Sequence, residues 1–202
     1  MKIVVATRNR GKLREIVPLL AELGLELHTI DELAPGVELR EDGLTFEENA
    51  LAKARQAAGA TGLPAIADDS GLEVDALGGA PGVHSARYAG SPTNDAQNNA
   101  KLIAALGAIS GAARTGRFRC VAAFVDPVRG IEIVRSGSCA GEILGAPRGA
   151  GGFGYDPLFL VPALGRTMAE LSLEEKNRLS HRAAAFRALA AALGQMAAAV
   201  SG

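Results

Sequence analysis

Pro64-Ala65-Ile66-Ala67-Asp68-Asp69-Ser70-Gly71 is an apolar run that stops in two adjacent carboxylates, a hydroxyl and a glycine. The apolar part, bounded by Pro and Gly, reads as a buried strand ending at the acidic pair. In an open α/β sheet, ligands gather outside the carboxyl ends of strands, so this is where chemistry is expected. Two neighbouring carboxylates are costly to keep ionised without a cation. The simplest candidate is Mg²⁺, which commonly arrives with phosphates. Adjacent strand residues point to opposite faces, so one Asp alone need face a ligand.

The segments on either side supply an α/β frame. Residues 3–6 read as a short buried strand, and residues 11–23 carry helical spacing through Leu13, Ile16, Val17, Leu20 and Leu23. Pro18 should kink or shorten that helix, Gly24 should close it, and residues 25–29 read as a second strand. Thr45-Phe46-Glu47-Glu48 is a capping box that opens a helix to about Ala58. Another helix is expected over about 94–106. Two long strands, 117–126 and 131–144, meet at a turn over 127–130. A short strand over 157–161 precedes a second capping box, Ser172-Leu173-Glu174-Glu175, and a helix after Ser180 ending near Val200. Helical crossovers mixed with a long hairpin predict an α/β fold with an extended, mixed sheet.

Composition narrows the class. The chain has 202 residues, 48% of them apolar, which suits one domain over residues 1–202. A formal net charge of −1 argues against a nucleic-acid-coating protein, without excluding a local basic pocket for a small anion. The two cysteines, Cys120 and Cys139, lack metal-ligand spacing, so a reducing cytoplasm is expected and both read as small apolar residues. The apolar run at the N-terminus is too short for a signal peptide. The Ala-rich stretch 188–202 is too short to span a bilayer, so no membrane partner is expected.

Three further constellations accompany the Asp pair. Thr7-Arg8-Asn9-Arg10-Gly11-Lys12 lies between the first strand and helix, where free N–H groups and the helix dipole receive anions. It is neither a Walker A loop nor a dinucleotide fingerprint, and a solvated basic turn is the competing reading. In Gly151-Gly152-Phe153-Gly154-Tyr155-Asp156-Pro157, glycines around two aromatics let a flat ring approach and stack, as a nucleobase would. A tight corner with two core aromatics is the alternative. Lys176 and Ser180-His181-Arg182 add donors. Donors around a purine pair with a 6-keto oxygen and go unpaired against a 6-amino group, which gives strong rejection.

Together these segments resemble the inosine/xanthosine triphosphate pyrophosphatases, enzymes that clear non-standard purine nucleotides. The matching pieces are residues 7–12, Gly43-Leu44-Thr45-Phe46-Glu47-Glu48-Asn49-Ala50, residues 65–88 and 151–159, Lys176, and Ser180-His181-Arg182. The resemblance implies Mg²⁺-dependent hydrolysis of ITP, dITP and XTP to the monophosphate and pyrophosphate. By position it makes Asp69 the general base and a Mg²⁺ ligand. Glu41 matches a second acidic metal position, with Asp42 beside it as the alternative, and Asp68 is a third ligand or a supporting group. Thr7, Arg8, Asn9, Arg10, Gly11 and Lys12 become the triphosphate loop, and Ser70 a substrate contact. Phe153, Gly154, Tyr155, Asp156, Lys176, His181 and Arg182 become base-recognition positions. An elongated mixed sheet flanked by helices, two lobes with a central active-site cleft, and a homodimer are implied as well. Two other readings stay in play: a pyrophosphatase for other aberrant nucleotides, and a nucleotide-binding sensor without turnover.

Overall fold

The computed structural model describes residues 1–107, 109 and 114–200, apart from the side chains of Glu22 and of residues 197–200. Strand β1 (Lys2–Val5) is buried from Ile3 onward. Helix α1 (Arg10–Leu20) starts at Asn9, whose side chain accepts from the Lys12 N–H, and ends two residues after Pro18. One 3₁₀ turn, Ala21–Leu23, carries the chain to Gly24 in the left-handed region (φ 60°). The regular helix is therefore shorter than its apolar spacing predicts, as expected where a proline removes a backbone donor. Strand β2 (Glu26–Thr29) leads into α2 (Ile30–Leu33), a single capped turn too short for periodicity to reveal.

Helix α3 (Phe46–Thr61) opens on the predicted capping box, with Thr45 and Glu48 bonding reciprocally. It runs three residues beyond Ala58 and stops at Gly62, which takes up the left-handed cap (φ 66°). Strand β3 (Ala65–Val74) corrects the opening expectation: it does not end at Asp68-Asp69 but passes through them. Leu72 and Val74, both fully buried, keep it in the sheet beyond the acidic pair.

Helix α4 (Asp95–Ala105), strands β4 (Thr115–Asp126) and β5 (Ile131–Ile143), and strand β6 (Phe159–Val161) follow close to their predicted places. A two-residue strand, β7 (Arg166–Thr167), lies too close to β6 to be read from alternation. Helices α5 (Leu173–Leu179) and α6 (His181–Val200) complete the described chain. The strands form one seven-stranded sheet in the order β2-β1-β3-β4-β5-β6-β7. β1 pairs parallel to β2 and β3, whereas β5-β6 and β6-β7 are antiparallel. The sheet is mixed and helix-flanked, as expected.

The chain divides into two compact units. The first comprises Met1–Asp69, Cys120–Gly137 and His181–Gly202. Its core joins Ile3, Val5, Ile16, Leu20, Ile66, Phe124 and Phe186. The second comprises Ser70–Arg119 and Ser138–Ser180, with a core of its own around Leu72, Leu102, Phe118, Leu158 and Phe159. Among the described residues no helix is long and apolar enough to cross a membrane.

Candidate active site

In the first unit, β3 delivers Asp68 and Asp69 to different partners, as the two-residue period of a strand requires. Asp69, 6% exposed, accepts at Oδ2 from the Asn49 side-chain amide at 3.0 Å. Its Oδ1 lies 3.5 Å from Lys53 Nζ. The same ammonium also donates to Glu41 Oε1. Two carboxylates thus converge on one cation. Asp42, the alternative to Glu41, is exposed and Glu41 is the acid that reaches this point.

Helix α3 makes this possible. Asn49 and Lys53 are one turn apart and share the buried face with Phe46, Ala50, Ala54 and Ala57. Asn49 is itself fixed, because its Oδ1 accepts from the Gly43 N–H at 2.8 Å. A Cβ at Gly43 would stand 2.7 Å from Glu48 Cβ and 2.8 Å from Asn49 Oδ1, so only glycine lets the backbone approach so closely. The sequence reading missed Asn49 and Lys53. The available signal was two polar side chains in phase with the apolar face of a helix whose start the capping box had already fixed.

Asp68, 1% exposed, meets a different set. Lys12 Nζ is 3.1 Å and Arg182 Nε 3.2 Å from its Oδ2, and the Cys120 thiol approaches the same oxygen at 3.8 Å. Arg182 also binds Glu15, which is equally buried on α1. Lys12, half-buried, and the buried Asp68, Arg182 and Glu15 therefore form a neutral chain of charges joining α1, β3 and α6. Glu15 was missed as well, one position from the core residue Ile16.

Two of the expected ligands have partners within the protein. Arg182 is 2% exposed, and its guanidinium is engaged by Asp68 through Nε and by Glu15 through Nη1. The Arg8 side chain is held by residues 31–37. It bonds to Asp31 (2.7 Å) and to the carbonyls of Pro35 (3.2 Å) and Val37 (2.6 Å), tying the loop to residues 31–37. Within the loop, Thr7 Oγ1 accepts from the Asn9 N–H at 3.2 Å and Asn9 Oδ1 from the Lys12 N–H at 3.1 Å. The turn is thus pre-shaped, with Arg10 exposed and Gly11 buried at the start of α1.

The charges are tuned by these contacts. Burial pushes the Asp69 carboxyl above the usual carboxylate range, with Lys53 and Lys12 opposing the rise. Burial acts in the same sense on Asp68, but Lys12, Arg182 and Lys53 outweigh it and hold that carboxyl well below the usual range. Glu41 is likewise held low, because Lys53 overcomes its desolvation. Burial opposes the charge on Lys53, yet Asp69, Asp68 and Glu41 together raise its pKa. The adjacent Asp residues are therefore driven apart, a pattern that marks functional carboxylates.

Hard carboxylate oxygens are the donors Mg²⁺ takes, and Glu41 and Asp69 fit because they already share one cation. Among the described residues no three or more His, Cys, Asp or Glu side chains group to hold a metal. A pair of carboxylates is enough where phosphate oxygens and water complete the shell.

In the second unit, Ser70 follows on β3, and the aromatic-glycine segment forms a tight turn. Asp156 Oδ2 accepts from the Phe153 N–H at 2.9 Å and from Lys176 Nζ at 2.7 Å. The Lys176 ammonium also stands 5.4 Å from the centre of the Phe153 ring. Gly152 has φ +73°, and a Cβ there would fall 2.0 Å from Asp156 Oδ2. Tyr155 corrects an expectation. It is 4% exposed, packs in the core and donates its hydroxyl to the Ser85 carbonyl at 2.8 Å, so it anchors the turn rather than offering a stacking face. Phe153, half-buried, keeps that possibility. His181 belongs to the first unit, where it begins α6 and is 6% exposed.

The chain is similar to known proteins over nearly its whole length. The family model of the Ham1 family matches residues 3–192. A protein of Geobacter sulfurreducens named dITP/XTP pyrophosphatase is 54% identical over 193 residues, which cover 96% of each chain. The structure of the Staphylococcus aureus Ham1 protein superposes with a TM-score of 0.87 at 42% identity, covering 97% of this chain and 100% of that one. That of a nucleoside-triphosphatase / dITP/XTP pyrophosphatase from Mycobacterium abscessus gives 0.76 at 47% identity, covering 96% and 99%.

Proposed function

Since this chain belongs to the Ham1 family, we propose that it hydrolyses non-standard purine nucleoside triphosphates (ITP, dITP and XTP) to the nucleoside monophosphate and pyrophosphate. The observation that carries the reading is the convergence of Asp69 and Glu41 on one cation, with Asn49 holding Asp69. The name of the Geobacter sulfurreducens relative supports the same reading. Removing such nucleotides from the pool keeps them out of DNA and RNA.

Residues 7–12 receive the triphosphate through the α1 N-terminus, the Thr7 and Asn9 side chains and the charges of Arg10 and Lys12, while Arg8 steadies the loop. Asp69 orients a water toward the α-phosphorus and accepts its proton, and Ser70 adds a substrate contact. The new P–O bond forms as the bond to the β-phosphate oxygen breaks and pyrophosphate leaves. A carboxylate that ligates Mg²⁺ is a weak base, so orienting the water is the larger part of this role. Asp69 and Glu41 would hold Mg²⁺, which neutralises charge developing on phosphate oxygens. Asp68 keeps Lys12 and Arg182 in place rather than serving as a third ligand.

Base recognition falls to Phe153 as stacking face and to Lys176 as donor, with Asp156 fixing both. His181 is a further donor, and Gly154 and Tyr155 shape the turn. A donor set pairs with a 6-keto purine and leaves buried donors unpaired against adenine. A homodimer and a cytoplasmic location complete the proposal.

The experiment is pyrophosphate release from ITP, dITP, XTP, GTP and ATP, with and without Mg²⁺, for the wild type and Asp69→Asn. Rapid turnover of the first three, dependent on Mg²⁺ and lost in the variant, supports the reading. Equal turnover of all five contradicts the base selection, and a near-wild-type rate for Asp69→Asn contradicts the role of Asp69.

A further inference from the structure

Helix α4 carries no residue of the proposed reaction, yet it grips the turn that carries Phe153. The Gly154 N–H donates to Asp95 Oδ2 at 2.7 Å. The Gly154 carbonyl accepts from Asn99 Nδ2 at 3.0 Å. Asp95 and Asn99 stand four residues apart, one above the other on the same helix face. Both polar groups of a single residue, the one between Phe153 and Tyr155, are thereby held by one rigid element.

The helix is itself pinned. Asn94 caps it by accepting from the Gln97 N–H at 3.0 Å. Asn98, 2% exposed, accepts from the Ala89 N–H at 2.7 Å and donates to the Ala86 carbonyl at 3.0 Å. Ser85 lies just before that segment and receives the Tyr155 hydroxyl. The turn is consequently held at Gly154 by α4, at Tyr155 by Ser85, and at Asp156 by Lys176.

A glycine at φ +59° has wide conformational freedom, and a loop built on it wanders unless its peptide groups are fixed. A structural peg would need only one of the two bonds. Gripping both the N–H and the carbonyl fixes the peptide planes on either side of Gly154, the first of which joins it to Phe153, and so restrains the backbone from which the ring projects. The geometry points to Asp95 and Asn99 as positioning residues for base selection, which hold Phe153 and Asp156 in the orientation that accepts a 6-keto purine. The inference rests on the assignment of Phe153 and Lys176 to the base.

The chemistry of the pair suggests clean variants. Asp95 is exposed in the first turn of α4, so Asp95→Ala removes one acceptor without opening a cavity. Asp95→Asn keeps an oxygen that can still accept from Gly154. Asn99 Oδ1 is buried with no hydrogen-bond partner among the described residues, so Asn99→Leu removes the donor to Gly154 without orphaning any group on that side.

The test is kcat and KM for ITP and ATP with the wild type, these three variants and Phe153→Ala, each checked for folding by urea denaturation. Asp95→Ala and Asn99→Leu are each expected to raise KM for ITP by about five- to tenfold, the worth of one hydrogen bond, with kcat changed by less than about twofold. The preference for ITP over ATP in kcat/KM should shrink by the same factor, and Asp95→Asn should restore it. Should Asn99→Leu fail to fold, Asp95→Ala and its rescue decide the matter. If Phe153→Ala loses the preference while Asp95→Ala and Asn99→Leu keep both KM and preference, the clamp is overturned and the base assignment stands. If Phe153→Ala also keeps the preference, the base assignment falls and the clamp falls with it. A loss of kcat at unchanged KM in the α4 variants overturns the clamp too, since that helix would then act on the chemistry.

Discussion

The Asn49 amide donates to Asp69 Oδ2 at 3.0 Å while its own oxygen receives the Gly43 N–H at 2.8 Å. Because the Gly43 N–H can only donate, it fixes which way the amide points, and Asn49 must present its NH₂ to Asp69. One oxygen of the carboxylate is thereby oriented by the protein, and the other faces Lys53. Asn49→Leu keeps the volume and removes the donor. It should lower kcat for ITP by about 10–100-fold, the usual cost of losing a hydrogen bond that orients a ligating carboxylate. Steady-state kinetics alongside near-UV circular dichroism would check it, and an unchanged kcat in a folded variant would refute it.

Asp68 should govern acid stability. Lys12 and Arg182 hold its carboxyl well below the usual range, so the folded state favours the ionised form. That contribution is complete above the unfolded value of about 4 and declines as pH falls below it toward the depressed folded value. Asp68→Asn takes one charged partner from the buried Arg182 and from the half-buried Lys12 and should cost about 3–5 kcal/mol near neutral pH. In urea unfolding, the gap between wild type and variant should narrow steadily below about pH 4. A gap that stays constant from neutral pH into that acid range would contradict the assignment.

The Gly152 site makes a sharp steric prediction. A methyl group there would stand 2.0 Å from Asp156 Oδ2, the oxygen that binds both Phe153 and Lys176. Gly152→Ala must displace Asp156, which loosens the base-side contacts while leaving Asp69 untouched. KM for ITP should rise about tenfold or more, as expected when two hydrogen bonds to one carboxylate are lost together. A wild-type KM would show that Asp156 does not support the base.

Arg8→Ala separates loop support from phosphate binding. Its guanidinium serves Asp31 and two carbonyls in an exposed setting, so removal should cost about 1 kcal/mol of stability. KM for ITP should change by less than about twofold. A tenfold rise would return Arg8 to the phosphate contacts.

Much of the fold is legible in the sequence because its punctuation is strong. The capping box at Thr45 and Glu48 and the hairpin turn after Asp126 fix their elements to within a few residues. The reach of β3 was not legible: Asp68-Asp69-Ser70-Gly71 looks like an ending, and only the neighbouring core shows why Leu72 and Val74 continue the strand. The acids and the basic loop of the candidate site stood out as unusual runs. Their supporters did not, since Glu15, Asn49 and Lys53 are single polar residues inside ordinary helices, and their meaning depends on which side chain they meet. Tyr155 as a stacking face misled for the same reason, because side-chain chemistry is visible in a sequence and its orientation is not.

The most direct measurement follows ITP hydrolysis with Mg²⁺ in ¹⁸O-enriched water by ³¹P NMR. Attack of the water at the α-phosphorus predicts IMP and pyrophosphate in equal amounts, with the label on IMP alone. Inosine diphosphate with free phosphate, or label in the pyrophosphate, would contradict the account.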